Sequence, residues 1–320
     1  MKKRKLIDTY YKLPEIKRPF IVRRLYNKLL EKVFNILVNH QMPSYYANNP
    51  SPTLQPFGNH VHGIEIIASL TSFPGRIKTT YLAIEAILRQ SVKPNRIVLW
   101  LAEGQFPRHE EDLPERLLQL KSKGLEILFC DDIRSHKKYY YTLKKRSKEA
   151  IILFDDDLFF HEDVIKNLVE IHLKNPNCII GTRVHRMTFS RDGMLNNYRN
   201  WEINYKGEEA SILNHSNSGH GTLVPPSVEF DDIFFNKEIF MKLSPNSDDV
   251  WFKVNLIRLG IPVVTNGEYA RDTLSIKGTY KNSLVSNNTH RGLKDKQFKA
   301  VFKYFEIEPT EKSLRGLETK

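Results

Sequence analysis

After Pro19 the chain carries apolar residues at Val22, Leu25, Tyr26, Leu29, Val33, Phe34 and Leu37. Spacings of three and four predict a helix, and Arg23, Arg24, Lys28 and Lys32 interleave to make it basic and amphipathic. Residues 41–63 are rich in Pro, Asn and Ser and read as a linker or irregular wrap, with a domain boundary near residue 60. From there short apolar runs alternate with helical periodicity: strands are predicted at 64–70, 96–101, 125–130 and 150–154, and helices at 77–90, 114–123 and 138–148. Connections of a few residues between such elements predict a mostly parallel sheet covered by helices on both faces, an α/β fold.

Further along, the pattern predicts a helix at 162–174 and a strand at 178–181, then a polar stretch at 182–218 with Tyr198, Trp201 and Tyr205 scattered in it. Residues 219–226 read as a constrained loop. Ser247 opens an amphipathic helix that Gly260 ends, 261–265 reads as a last strand and 294–304 as a basic helix. No internal repeat is present. Neither G-x-G-x-x-G nor a P-loop occurs, which counts against dinucleotide and ATPase chemistry.

Charge changes this picture in one place. The formal charge is +12, but residues 1–40 hold 11 Lys or Arg against 3 Asp or Glu, leaving about +4 for the other 280 residues. The excess belongs to the N-terminal segment, so a nucleic-acid partner is not expected of the domain. Residues 16–40 suit an anionic membrane surface, where each Lys or Arg contributes about 1 kcal/mol. The other reading packs the apolar stripe on the following domain or on a second subunit. Two cysteines, Cys130 and Cys178, lie in or beside apolar runs and read as small buried hydrophobes of a reducing compartment. No run approaches the about 18 uncharged apolar residues of a membrane span, and no signal peptide is visible. The expected location is cytoplasmic, with peripheral attachment to the inner face of the cell membrane open to it.

The chemistry concentrates at one strand end. Ile151, Ile152, Leu153 and Phe154 run directly into Asp155, Asp156 and Asp157. A fully apolar run predicts a strand buried on both faces, so the acids fall at its carboxyl end, where open α/β sheets bind ligands. Alternation along the backbone turns Asp155 and Asp157 one way and Asp156 the other. Two carboxylates about 5 Å apart repel by roughly 3 kcal/mol at an effective dielectric near 20. Mg²⁺ or Mn²⁺ would offset that, held by one or two acids and completed by water and substrate phosphates. Capping of the next helix by one Asp, with the others solvated, is the competing reading.

Several stretches together resemble bacterial sugar-nucleotide glycosyltransferases of the GT-A fold, related to the large family 2 enzymes. They are Ser69-Leu70-Thr71-Ser72-Phe73-Pro74-Gly75-Arg76, Ser91-Val92-Lys93-Pro94, Asp155-Asp156-Asp157, Val224-Pro225-Pro226 and Asp248-Asp249-Val250-Trp251-Phe252. The resemblance spans about residues 64–265. It implies a GT-A domain at 61–310, with a nucleotide-binding half at 61–160 and an acceptor half at 161–310, between a basic extension at 1–60 and a tail at 311–320.

The resemblance also implies a nucleotide-diphosphate sugar donor, a UDP-sugar first, and a glycan or lipid-linked acceptor. The acidic triplet takes the place of the D-x-D motif: Asp155 and Asp157 as metal or ribose contacts, Asp156 third. Ser69, Thr71 and Arg76 fall where this fold faces its nucleotide. Asp131 and Asp132 fall where uracil or ribose is bound, and Lys138 where the diphosphate is. Asp248 and Asp249 match the acidic pair before the acceptor-side helix, with Asp249 the candidate base of an inverting transfer and Asp248 equally suited to an N-cap. Trp251 either stacks on an acceptor ring or anchors its helix.

Two departures stand out. Gly219-His220-Gly221 replaces adjacent glycines, and Asn287-Asn288-Thr289-His290-Arg291-Gly292 matches only loosely the region that closes over the diphosphate, where His290 is a candidate metal ligand. Competing functions are a sugar-phosphate nucleotidyltransferase, which would need a glycine-rich basic loop after the first strand, and a non-catalytic basic protein binding membrane or nucleic acid through residues 1–40.

Overall fold

In a computed structural model the described residues are 5–14, 20–54, 63–146, 148–279 and 292–318. Helices α1 (Lys5–Lys12) and α2 (Phe20–Asn48) open the chain. They lie on the domain: Ile7, Tyr10, Phe34, Val38, Met42 and Tyr46 enter the same apolar core as the sheet. The helix therefore continues well into the stretch expected to be a linker, through Pro43, before ending at Asn48. Proline costs a helix one hydrogen bond, and here the buried Met42 and Tyr46 on either side hold the chain in register.

Strands β1 (Ile66–Thr71), β2 (Arg96–Ala102), β3 (Leu125–Cys130) and β4 (Ala150–Phe154) alternate with helices α3 (Ile77–Leu88), α4 (Glu115–Leu118) and α5 (Lys137–Lys145). β5 (Leu158–Phe159), α6 (Val164–Lys174), β6 (Ile179–Gly181), β7 (Val184–Arg186), β8 (Asn214–Ser216) and β9 (His220–Val224) follow. The chain closes with α7 (Lys237–Leu243), α8 (Asp248–Arg258), β10 (Val263–Val264), β11 (Leu274–Ser275), α9 (Leu293–Tyr304) and α10 (Glu311–Leu317). Among the described residues the main sheet runs β10-β6-β9-β4-β1-β2-β3, with β9 antiparallel to both neighbours and the other pairs parallel. The fold is thus a mostly parallel α/β sheet flanked by helices.

The expected loop at 219–226 is corrected by this topology: most of it is β9, an inner strand between β6 and β4. Its turn-like composition has a local cause, since Gly221 holds φ +99° at the head of the strand. The polar stretch 182–218 likewise contains the antiparallel pair β7–β8.

β4 shows why the apolar run reads as it does. Ile152 and Phe154 point into the core shared with α2, α3 and α6, while Ile151 and Leu153 point into the core formed with α5, α8 and α9. Each side chain so buried contributes about 1.5–3 kcal/mol. The register with β9 shifts between Leu153 and Phe154, a bulge immediately before the acidic triplet. Bulges of this kind re-aim side chains, and here the strand ends by donating Asp155 N–H to Gly219 O at 2.6 Å.

Candidate active site

At the carboxyl edge of β1 and β4, facing the N-terminal ends of α5 and α8, lies a cleft of about 650 Å³. That is within the usual range for a small-molecule site. Six acids line it, Asp132, Asp155, Asp156, Asp157, Asp248 and Asp249, and six bases, Arg76, Arg134, Lys137, Lys138, Arg183 and Lys294. The formal charges of these two sets cancel.

The triplet does not divide as strand alternation predicts: it lies in a turn past the end of β4, where Asp156 and Asp157 share one Arg76 nitrogen and Asp155 pairs with Lys138. Asp156 is buried and turned onto the β1 loop, accepting from Ser72 Oγ at 2.5 Å and from an Arg76 terminal nitrogen at 2.9 Å. It borders the cleft with its carboxylate committed to holding that loop. Asp157 takes Arg76 at 2.9 Å, and Asp155 takes Lys138 Nζ at 2.8 Å. Burial pushes the Asp157 carboxyl up to about 7, opposed by Arg76 and reinforced by Asp155 and Asp156. Its charge is therefore incompletely compensated by the protein. Arg76 Nε is buried with no acceptor in hydrogen-bonding reach, a donor left for a ligand oxygen.

Lys138 ties the two halves of the cleft together. It stands in the first turn of α5, where the helix dipole disfavours a cation, and it is held there by Asp155 at 2.8 Å and Asp248 at 3.0 Å. Burial alone would lower its pKa, but those two carboxylates raise it above the ordinary lysine value. Asp248 is the first residue of α8 and also accepts from Ser218 Oγ at 2.9 Å, so its carboxylate is spent on the cleft and not on capping.

Beside it, Asp249 pairs with Lys294 Nζ at 2.5 Å and lies 3.5 Å from His215 Nε2. Burial opposes ionisation of Asp249, yet Lys294 and His215 overcome it and hold the carboxyl far below its usual range. His215 itself is fully buried and pushed down to about 4, hence neutral. Lys294 Nζ also sits 3.8 Å over the Tyr198 ring.

The remaining candidates separate cleanly. Thr71 lines the cleft while donating to Trp100 O, and Asp132 lines it while accepting from Gln105, Lys137 and the Arg134 N–H. Ser69 does not reach it: fully buried, it bonds Lys138 O and Thr142. Asp131 points outward, 73% exposed, and pairs with Lys237. Trp251 is buried with Nε1 donated to Phe234 O, which anchors α8. His290 lies outside the described residues.

Ser72, Ser218, Gly219 and Lys294 are among the site residues given no role from the sequence. Ser72 and Ser218 look like any loop serine. Lys294 lies 45 positions beyond its partner Asp249 inside a run of ordinary basic residues. Gly219 carried a signal, since it stood in the odd Gly-His-Gly. A Cβ there would fall 1.8 Å from the Asp155 carboxyl carbon, so only glycine leaves that carboxylate its place.

The donor set can be tested against a divalent cation. Asp155 and Asp157 offer oxygens alone, which suits Mg²⁺ or Mn²⁺. Among the described residues no group of three or more His, Cys, Asp or Glu side chains converges on one point. A protein share of two carboxylates fits an ion that a substrate's phosphates and water complete.

No family model matches this chain, and no curated protein does. Among solved structures it is similar to the mannosyltransferase PcManGT from Pyrobaculum calidifontis, in complex with GDP-Man and Mn²⁺, with TM-score 0.50 and 10% identity over 92% of this chain and 78% of that one. It is also similar to S. aureus TarS 1-349, with TM-score 0.42 and 10% identity over 63% and 58% of the two chains. A CMP:2-keto-3-deoxy-manno-octonic acid synthetase complexed with CTP gives TM-score 0.37 and 11% identity over 63% and 88%. The first likeness shows the fold, a GT-A-like Rossmann architecture extending over nearly the whole chain.

Proposed function

We propose that the chain is a metal-dependent glycosyltransferase that moves a sugar from a nucleotide-diphosphate donor, a UDP-sugar first among them, to a glycan or lipid-linked acceptor of surface polysaccharide synthesis. The observation that carries this reading is the placement of Asp155 and Asp157 at one end of a single cleft, with Asp248 and Asp249 bordering the same space. The similarity of the fold to a mannosyltransferase structure containing GDP-Man and Mn²⁺ supports it.

In this reading Asp155 and Asp157 hold Mg²⁺ or Mn²⁺ together with the donor diphosphate. The bound ion neutralises charge that develops on the departing nucleotide. Since the acids and bases lining the cleft cancel, a diphosphate entering alone would leave net negative charge in a poorly solvated site; the cation removes that cost. Arg76 offers its unpartnered Nε to a phosphate oxygen. Lys138 keeps Asp155 and Asp248 in register across the cleft. The Thr71 and Asp132 side takes the nucleoside, with Asp132 held by Lys137 for a ribose or base N–H contact.

Asp249 is the acceptor-side base. Lys294 guarantees that it is ionised and able to accept a proton, at the cost of making it a weak base. A weak base suffices when proton transfer follows attack, because a hydroxyl already bonding to C1 is strongly acidic. Attack from the side opposite the diphosphate gives inversion. The test is release of UDP from a panel of UDP-sugars with Mn²⁺ and with chelator: the reading requires turnover with metal and none with chelator, and turnover of a nucleoside triphosphate plus sugar phosphate instead would favour a nucleotidyltransferase.

A further inference from the structure

Helix α2 is apolar on two opposite sides. Phe34, Val38, Met42 and Tyr46 are buried in the core. Val22, Leu25, Leu29, Val33 and Ile36 follow each other at three- and four-residue steps on the opposite side, 41% to 64% exposed. A helix packed on one side normally carries polar residues on the other; a row of five exposed aliphatic side chains marks an interaction surface. Lys28 and Lys32 are exposed beside the row, within a 40-residue segment holding 11 Lys or Arg against 3 acids.

We propose that this face of α2 docks on an anionic lipid bilayer, with the aliphatic row entering the headgroup boundary and the flanking lysines meeting lipid phosphates. Charge chooses this occupant. A second copy of the chain would bring the same basic segment against itself, whereas an anionic surface complements it. No described helix is long and apolar enough to cross a membrane, so the contact is peripheral.

The opposite, domain-facing side of α2 approaches the cleft: Asn27 and Leu30 share a small crevice with Ile203, and Ile203 also lines the main cleft. Tyr10 of α1 donates to Asp272 O, and Asp272 holds Arg183 of the cleft at 2.8 Å. Docking itself does not depend on the proposed chemistry.

The test is co-sedimentation of the full chain with vesicles of phosphatidylcholine alone and of phosphatidylcholine with about one third phosphatidylglycerol, at about 0.1 M and about 1 M salt, where the screening length falls from about 10 to 3 Å. The expected result is at least about tenfold stronger partition onto the anionic vesicles, weakened by salt. Leu25→Ser/Leu29→Ser/Ile36→Ser and Lys28→Glu/Lys32→Glu should each lower it by about tenfold or more while the melting temperature and UDP binding stay unchanged. Equal binding to both vesicle types, binding to neither, or variants that bind like the parent would overturn the proposal. So would a dimer of the parent chain that the triple-serine variant abolishes, since a second copy would then cover the face.

Discussion

The carboxylate of Asp155 fills the space that a side chain at Gly219 would need, because a Cβ there would lie 1.8 Å from the carboxyl carbon. Gly219 is thus a spatial requirement of the acidic cluster. In Gly219→Ala the side chain of Asp155 must leave its position and its contact with Lys138. A displacement of about 1 Å at such a site costs on the order of 10²-fold. Calorimetry of UDP with Mn²⁺ should show affinity reduced by at least about tenfold, with the fold retained by circular dichroism.

Asp156 and Asp157 are neighbours with opposite tasks. Asp156 is the buried partner of Ser72 and Arg76, so Asp156→Ala leaves a buried guanidinium short of charge and should cost about 3–5 kcal/mol in urea unfolding. Asp157 carries charge that burial and its acidic neighbours disfavour. Asp157→Ala should cost clearly less stability than Asp156→Ala, yet abolish metal-dependent nucleotide binding. Equal losses of stability would show that both carboxylates serve the fold alike.

Lys294 holds Asp249 ionised, and in the proposed reading this sets the pH range of the acceptor-side base. Asp249→Asn should lower kcat by about 10²–10⁴-fold with donor affinity unchanged. In Lys294→Met burial remains and the main opposing charge is gone, so the Asp249 pKa rises. The acid limb of the kcat profile then moves to higher pH than in the parent. A limb that stays put would remove Asp249 from the base role.

His136 is fully buried, stacks on Phe240 and is pushed down to about 4 by burial. Its unfolded value is near 6.5, so between pH 6.5 and 4 the unfolded chain binds the extra proton. The associated stability is intact above pH 6.5 and is lost as pH falls towards 4, by at most about 3 kcal/mol. Other groups titrate in the same window, including His215 in the same direction and Asp157 in the opposite one. The difference between parent and His136→Phe isolates this one: His136→Phe should close the gap with the parent as pH drops from 6.5 to 4.

What could be read from sequence follows what is local. Four apolar residues entering three acids defined β4 and the end of it that opens on the cleft, because burial on both faces is a property of the strand itself; alternation stops with the strand, so it did not give the directions of the acids. The α/β order from β1 to β4 was legible for the same reason. β9 was not: a left-handed glycine and two prolines make an inner strand look like a loop, and only its pairing with β4 and β6 makes it one. The extension of α2 past Pro43 was hidden similarly, since contacts with the core outweigh a local helix breaker. Ser69 sits on the right strand but faces α5, and Asp131 ends β3 but turns to Lys237. The Asp249–Lys294 and Lys138–Asp248 pairs join distant segments whose meeting no local pattern encodes.

The central claim is that Asp155 and Asp157 grip a cation and, with it, a nucleotide diphosphate. A thermal-shift titration of the full chain with UDP, with and without Mn²⁺, tests this most directly. UDP at about 100 times its dissociation constant should stabilise the chain by about 2.7 kcal/mol when Mn²⁺ is present, with no shift in chelator and none in Asp157→Ala. An equal shift without metal, or one retained in Asp157→Ala, would contradict the account.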